Sequence, residues 1–84
     1  MSRQNILITG ASSGLGEMMA KLYAGQGRNL ALCARRMDRL ESLKADCLSI
    51  NPDITVSIRE LDVNNHDQVF DVFKLFIGDL GHID

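Results

Sequence analysis

Three glycines, Gly10, Gly14 and Gly16, punctuate the run Thr9-Gly10-Ala11-Ser12-Ser13-Gly14-Leu15-Gly16. Glycine tolerates backbone conformations closed to other residues and lets a second group come close. Gly10 permits a sharp turn, Gly14 leaves no side chain where a pyrophosphate would approach, and Gly16 lets a helix starting there pack tightly. A helix start also carries unbonded N–H groups and the positive end of the helix dipole. The stretch from Ala11 to Leu15 can therefore cradle an anion, with the hydroxyls of Ser12 and Ser13 as added donors. The spacings of four and two differ from the two and three of the GxGxxG fingerprint, although the mechanical demand is similar. Three glycines can also simply make a tight loop, but these follow a strand, open a helix and begin a βαβ unit, the context that points to nucleotide binding.

Nineteen residues beyond Gly16 stand Arg35 and Arg36. A dinucleotide-binding chain that prefers NAD places an acid near this point, to accept hydrogen bonds from the adenosine ribose. Here two guanidinium groups precede the first acid, Asp38. Arginine offers a planar fork of donors that pairs bidentately with a 2′-phosphate, which a carboxylate would repel. Each charged hydrogen bond of this kind contributes roughly 1.5–3 kcal/mol, enough to choose between cofactors. NADP(H) is the expected cofactor; the alternative is a pair of solvated loop charges. Asp62 and Val63 follow a third apolar run, where ligands of open parallel sheets lie, and Asp62 could instead cap a helix. His66 and His82 have no partners at useful spacing and read as surface residues.

The elements that must hold these groups follow from periodicity. Ile6-Leu7-Ile8 is a short strand ending at Thr9-Gly10. From Leu15 to about Gly25, the apolar positions Leu15, Met18, Met19, Leu22 and Tyr23 recur at helical spacing, and Gly25-Gln26-Gly27 ends the helix. Leu30-Ala31-Leu32-Cys33-Ala34 reads as a buried strand. Asp38 is the expected N-cap of a second helix, with Glu41 completing a capping box. Leu40, Leu43, Cys47 and Ile50 give that helix an apolar face, and Asn51-Pro52-Asp53 breaks it. Ile54, Val56 and Ile58 alternate with polar residues as a strand does. A last helix from about Asp67 carries Val69, Phe70, Phe73, Phe76 and Ile77, closed by Gly78 and Gly81. The order β-α-β-α-β-α implies parallel strands joined by right-handed crossovers, an α/β layer structure.

Composition bounds the function. Eighty-four residues make one small domain with a modest core. The net charge is -2 and no basic run stands out, which argues against a nucleic-acid or membrane-surface binder. No apolar run approaches the ~20 residues of a membrane span. The N-terminus enters Ile6-Leu7-Ile8 without a signal-peptide core, so a cytoplasmic location is expected. Cys33 and Cys47 lack a CxxC spacing or a matched histidine, and read as buried thiols rather than metal ligands.

The run from Thr9 to Gly16 resembles the TGxxxGxG cofactor motif of the short-chain dehydrogenase/reductase family. The likeness continues through Ala34-Arg35-Arg36 and Leu61-Asp62-Val63 to Gly81-His82-Ile83-Asp84. It implies a Rossmann-type doubly wound parallel sheet, of which residues 1–84 would be the first half, a single truncated NADP-binding domain with strand order 3-2-1. It also implies that Asp62 hydrogen-bonds the adenine amino group and Val63 lines the ring. Members of the family transfer hydride between a nicotinamide and a carbonyl or alcohol. For this they use an Asn-Asn-Ala-Gly segment, a serine and a Tyr-x-x-x-Lys pair. None of these is present, since the sole tyrosine, Tyr23, is followed four residues on by Gly27. No catalytic residue is therefore assigned, and the 84-residue chain alone is expected to be inert. A strand order of 3-2-1 would leave Ile6-Leu7-Ile8 as an apolar edge and the Phe-rich helix uncovered, so homodimerisation through the first strand is expected. Two other readings stay open: an assembly module with a vestigial nucleotide site, and an adenine-nucleotide binder outside redox chemistry.

Overall fold

The computed structural model describes residues 4–61 and 66–81; Asp62, Val63, His82 and the side chain of His66 lie outside the described residues. Six elements alternate along the chain: β1 (Asn5–Thr9), α1 (Gly14–Gly25), β2 (Asn29–Ala34), α2 (Met37–Ile50), β3 (Val56–Glu60) and α3 (His66–Leu80). The strands form one parallel sheet in the order β1-β2-β3, with Leu7 beside Ala31 and Ala31 beside Ser57. Viewed from the other edge this is the expected 3-2-1, and among the described residues β1 pairs only with β2.

The central strand explains the layering. Alternate residues of a strand point to opposite faces, so Leu30, Leu32 and Ala34 enter the core shared with Leu40, Leu43 and Cys47 of α2 and Ala20 and Ala24 of α1. Ala31 and Cys33 enter a second core with Val72 and Phe76 of α3. Helices α1 and α2 thus cover one face and α3 the other. Only a strand covered on both faces needs an unbroken apolar run, which is why β2 lacks the alternation seen at Val56-Ser57-Ile58-Arg59.

Two helices bury faces other than those expected. In α1 the core-facing residues are Gly16, Ala20 and Ala24, while Leu15 (66% exposed), Met18 and Leu22 (60% exposed) point outward. The cause is a backbone contact. A Cβ on Gly16 would lie 2.5 Å from the Gly10 carbonyl oxygen and 2.8 Å from Ala11 Cα, so only small residues fit beneath this helix. In α3 the buried ridge is Val72 and Phe76, with Phe70 turned to solvent at 71% exposure. Gly78, expected to help end this helix, lies within it.

The start of α2 also differs. Arg36, in extended conformation, is the N-cap and offers no side-chain cap; Asp38 is already helical and cannot fill that position. Helical bonding begins with the Leu40 N–H donating to the Arg36 carbonyl at 3.2 Å. Gly27, at φ +78°, makes the left-handed turn after α1 that was expected of the Gly25-Gln26-Gly27 stretch.

The N-terminal ends of the strands are laced by amides. Asn29 Nδ2 donates to Asn5 Oδ1 at 2.9 Å, the Thr55 N–H donates to Asn29 Oδ1 at 2.8 Å, and Asn5 Nδ2 donates to the Leu80 carbonyl at 3.3 Å. This chain of bonds ties the strand starts to the end of α3, leaving the opposite, carboxyl ends of the strands for the site. One residue before Leu80 in α3, Asp79 Oδ2 accepts from Ser57 Oγ at 2.6 Å and from Arg59 Nη2 at 2.9 Å, clasping the helix to β3.

Candidate functional site

At the carboxyl ends of the strands a cleft of about 620 Å³ opens between the glycine turn and the start of α2. It is bordered by Gly10, Ser12 and Ser13 on one side, by Arg35, Arg36 and Arg39 on the other, and floored by Ala34 and Leu61. Groups separated by more than twenty residues in sequence meet here because β1 and β2 are parallel neighbours that end level, Thr9 beside Cys33.

The turn is held by its own bonds. Gly10 has φ +65°, a left-handed conformation that glycine adopts without strain. The Ser13 N–H donates to the Gly10 carbonyl at 3.1 Å and the Ser13 hydroxyl to the same oxygen at 2.9 Å. Ser13 Oγ then accepts from the Gly16 N–H at 3.3 Å, which makes Ser13 the N-cap of α1. Its hydroxyl is therefore spent on the turn, whereas Ser12, with no hydrogen-bond partner among the described residues, is free to face the cleft. Ala11 is fully buried and its N–H donates to the Cys33 carbonyl at 3.1 Å, locking the turn to the end of β2. Thr9, the last residue of β1, borders the cleft as well.

The three glycines divide the work. Gly16 is demanded by the protein itself, for the close approach described above. Gly14 is not: a Cβ there would meet nothing within 4 Å, and its φ is unexceptional. It opens α1, and among the described residues the amides of Gly14 and Leu15 have no acceptor, as the first turn of a helix requires. The Leu15 side chain lies away from the cleft, beside Leu7, Ile8 and Met19 along the open edge of β1. The expected set of Gly10, Ser12, Ser13, Arg35 and Arg36 is thus brought together around one space. Ala11 and Gly16 support it from behind; Gly14 and Leu15 follow Ser13 with unbonded N–H groups but are not among the residues that border the cleft. Asp62 and Val63 are outside the described residues; Leu61, which precedes them, is fixed by its N–H to the Ala34 carbonyl at 2.9 Å.

Charge at the cleft is predominantly positive. Arg35 and Arg39 have no acidic partner among the described residues, while Arg36 Nη2 lies 3.4 Å from Asp38 Oδ2. That hydrogen bond from Arg36 holds the Asp38 carboxyl below the usual carboxylate range. Arg39 was not anticipated. With α2 beginning at Met37, it falls in the first turn and leans toward the helix start, and correct placement of that start would have exposed it. The cysteines take no part: burial pushes the Cys33 thiol up to about 11, which keeps it protonated at neutral pH, and Cys47 is raised by the same cause.

Oriented amides, a hydroxyl and guanidinium groups around an open cleft can bind a polyanion. The chain is 56% identical over all 84 residues to an uncharacterized oxidoreductase of Mycobacterium tuberculosis, of which it covers 33%. Among solved structures, an alcohol dehydrogenase from Thermococcus sibiricus in complex with 5-hydroxy-NADP superposes with a TM-score of 0.92 at 34% identity, over 99% of this chain and 35% of that one. An NAD⁺-bound xylitol dehydrogenase superposes with a TM-score of 0.91 at 25% identity, over 96% of this chain and 30% of that one. The chain spans about a third of the length of these relatives. Residues 4–84 match the family model for short chain dehydrogenases. With the parallel sheet, the glycine turn and the match along its length, this chain belongs to the short-chain dehydrogenase family.

Proposed function

We propose that the chain is the cofactor-binding portion of an oxidoreductase, and that it takes the adenosine half of NADP(H) in the cleft between the glycine turn and α2. One observation carries the reading: the glycine turn that leads into α1, at Gly10, Ser12 and Ser13, and guanidinium groups at the end of β2 border one space of about 620 Å³. The Gly14 and Leu15 amides would donate to the pyrophosphate, Ser12 would add a hydroxyl, and Arg35 and Arg36 would hold the 2′-phosphate. The absence of a side chain at Gly14, which nothing in the fold requires, is what a ligand pressed against the backbone would demand. Asp62 and Val63 are the proposed adenine contacts.

When bound, the nicotinamide cofactor supplies or accepts the hydride in carbonyl–alcohol interconversion. The residues of this chain would bind and orient the cofactor's adenosine end, and none of them is assigned a proton transfer. Tyr23 lies ten residues along α1 from its N-cap, roughly 15 Å at 1.5 Å per residue, with its ring against the Arg28 guanidinium at 5.1 Å. The 84-residue polypeptide is therefore expected to bind without turnover. Isothermal titration tests the reading: NADPH should bind at least about tenfold tighter than NADH. Equal affinity would remove the 2′-phosphate assignment, and no heat with either would favour a vestigial nucleotide site.

A second reading concerns assembly. The open edge of β1 is flanked by Leu15 and Met19 of α1 on one face and by Phe73 of α3 on the other. An apolar edge with unpaired backbone groups invites another strand, and two copies of this polypeptide pairing through β1 would supply it. Sedimentation at micromolar concentration decides: a cooperative folded monomer rules this pairing out.

A further inference from the structure

We propose that two copies of this polypeptide associate with their β1 strands side by side and parallel, about a two-fold axis running along the strands, so that α1 of each copy packs against α3 of the other. The inference rests on the assembly reading above and fixes its geometry.

Both helices turn a polar flank to their own chain and an apolar flank to the open edge of the sheet. On α1, Lys21 Nζ lies 3.7 Å from Asp46 Oδ2 of α2, and Glu17 shares a recess with α2 residues. On the opposite flank Leu15 and Met19 line the groove along β1, and Leu22 continues their row at helical spacing. On α3, Asp79 holds β3, and Gln68 Nε2 donates to the Glu60 carbonyl at 3.5 Å. Phe73 lines a recess with Leu7 of β1, and Phe70 and Ile77 continue its row. These six side chains are 37–71% exposed.

The two rows lie at the same height. Helix α1 ends at Gly25, shortly before Asn29. Helix α3 ends at Leu80, whose carbonyl accepts from Asn5, the residue paired with Asn29 in the sheet. Each row therefore runs two turns down from the carboxyl edge of the sheet toward its amino edge.

Pairing of β1 with β1 allows two symmetric arrangements. In the antiparallel one, like helices share a face. However, α1 packs over β1 and β2, whereas α3 is set back over β2 and β3. Two α1 helices would crowd at the junction, and two α3 helices would stand apart with Phe70 and Ile77 uncovered. The parallel arrangement turns one copy over, so that each face joins a helix near the edge to one set back from it. Met19 then meets Phe73 of the second copy, a thioether against an aromatic ring. Full cover of the two rows would bury on the order of 600 Å² per copy, against ~800 Å² per partner in a standard interface, before the strand edges are added. The product is one parallel sheet with both glycine turns at the same edge, like the two halves of a doubly wound sheet.

Cysteine cross-linking and sedimentation of the 84-residue polypeptide test the geometry together. Met19→Cys and Phe73→Cys are oxidised with copper–phenanthroline, each alone and as an equimolar mixture. Wild type is the blank, because Cys33 and Cys47 are buried. A disulfide-linked dimer should form in the mixture and in neither variant alone. Phe70→Lys, at a position 71% exposed, should leave the thermal melt of the dilute monomer unchanged and raise the dimer dissociation constant at least about tenfold. Cross-linking of Met19→Cys by itself means antiparallel pairing, and overturns the geometry while the reading of β1 as the interface stands. A dimer that cross-links in no sample, or that Phe70→Lys leaves intact, overturns it as well. Failure of the parent reading looks different: wild type would then sediment as a monomer at every concentration.

Discussion

One methyl group added at Gly16 and one at Gly14 should have opposite consequences, although both residues belong to the same turn. In Gly16→Ala the new Cβ would sit 2.5 Å from the Gly10 carbonyl oxygen and 2.8 Å from Ala11 Cα. Both neighbours are backbone, so relief requires α1 to lift from the sheet or the turn to open. Overpacking of this kind costs about 1–3 kcal/mol, against a gain of up to about 1 kcal/mol for replacing glycine by alanine within a helix. A domain of this size has roughly 4–12 kcal/mol of total stability, and 1 kcal/mol moves its melting temperature by about 4–8 °C. Gly16→Ala should therefore melt several degrees lower. Gly14→Ala meets nothing within 4 Å and should melt at or slightly above the wild-type temperature. Its defect should appear in NADPH titration, because the methyl group stands where the ligand would approach the Gly14 and Leu15 amides. Circular dichroism melts and calorimetric titration of the two variants give the four numbers needed. If Gly14→Ala is destabilised as much as Gly16→Ala, the division of labour within the turn is wrong. If it is stable and binds NADPH as well as wild type does, the ligand does not lie against this helix start.

Further outcomes follow from the same geometry. Arg35→Asp should weaken NADPH binding by at least about tenfold, and NADH binding much less, because a charged hydrogen bond contributes roughly 1.5–3 kcal/mol; equal losses would make Arg35 a support of the loop only. Phe76→Ala, at a fully buried side chain of the α3 core, should cost about 3–5 kcal/mol in denaturant unfolding; a loss under about 1 kcal/mol would mean that α3 is not packed as described. The Asp79 carboxyl is held below its ordinary value of 3.8, first by the Ser57 hydroxyl and then by Arg59. A carboxyl depressed on folding lends stability above its unfolded value, lost as pH falls through the folded one. The clasp of α3 on β3 should therefore loosen only below about pH 4, and Asp79→Asn should flatten that acid limb of the stability curve. An unchanged limb in Asp79→Asn would assign the loss to other carboxyls.

Most of the architecture was legible in the chain because it rests on short-range signals. The apolar run at Leu30–Ala34, the helical spacing of Leu40, Leu43 and Cys47, and the break at Pro52 each act within a few residues. What the periodicity of α1 concealed was which side faces inward. Leu15, Met18 and Leu22 mark a helix but lie outside, because the glycine turn forces a close approach that only Gly16, Ala20 and Ala24 allow. Hydrophobicity alone cannot rank a small buried residue above a large exposed one. The capping-box reading of Asp38 failed for a related reason: the extended backbone at Arg36 starts the helix earlier, and tertiary placement outweighed the local motif.

By itself, the amino-acid order determined that strands and helices alternate, that a glycine turn opens the first helix, and that two arginines end the second strand. Those are properties of neighbouring residues, and local chemistry specifies them. Only the tertiary structure decided that the turn and the arginines border one cleft, because their meeting depends on the register of β1 against β2, with Thr9 level with Cys33. It also decided that Arg39 joins them while Arg36 is engaged by Asp38, since charges paired in space need not be the ones adjacent in sequence.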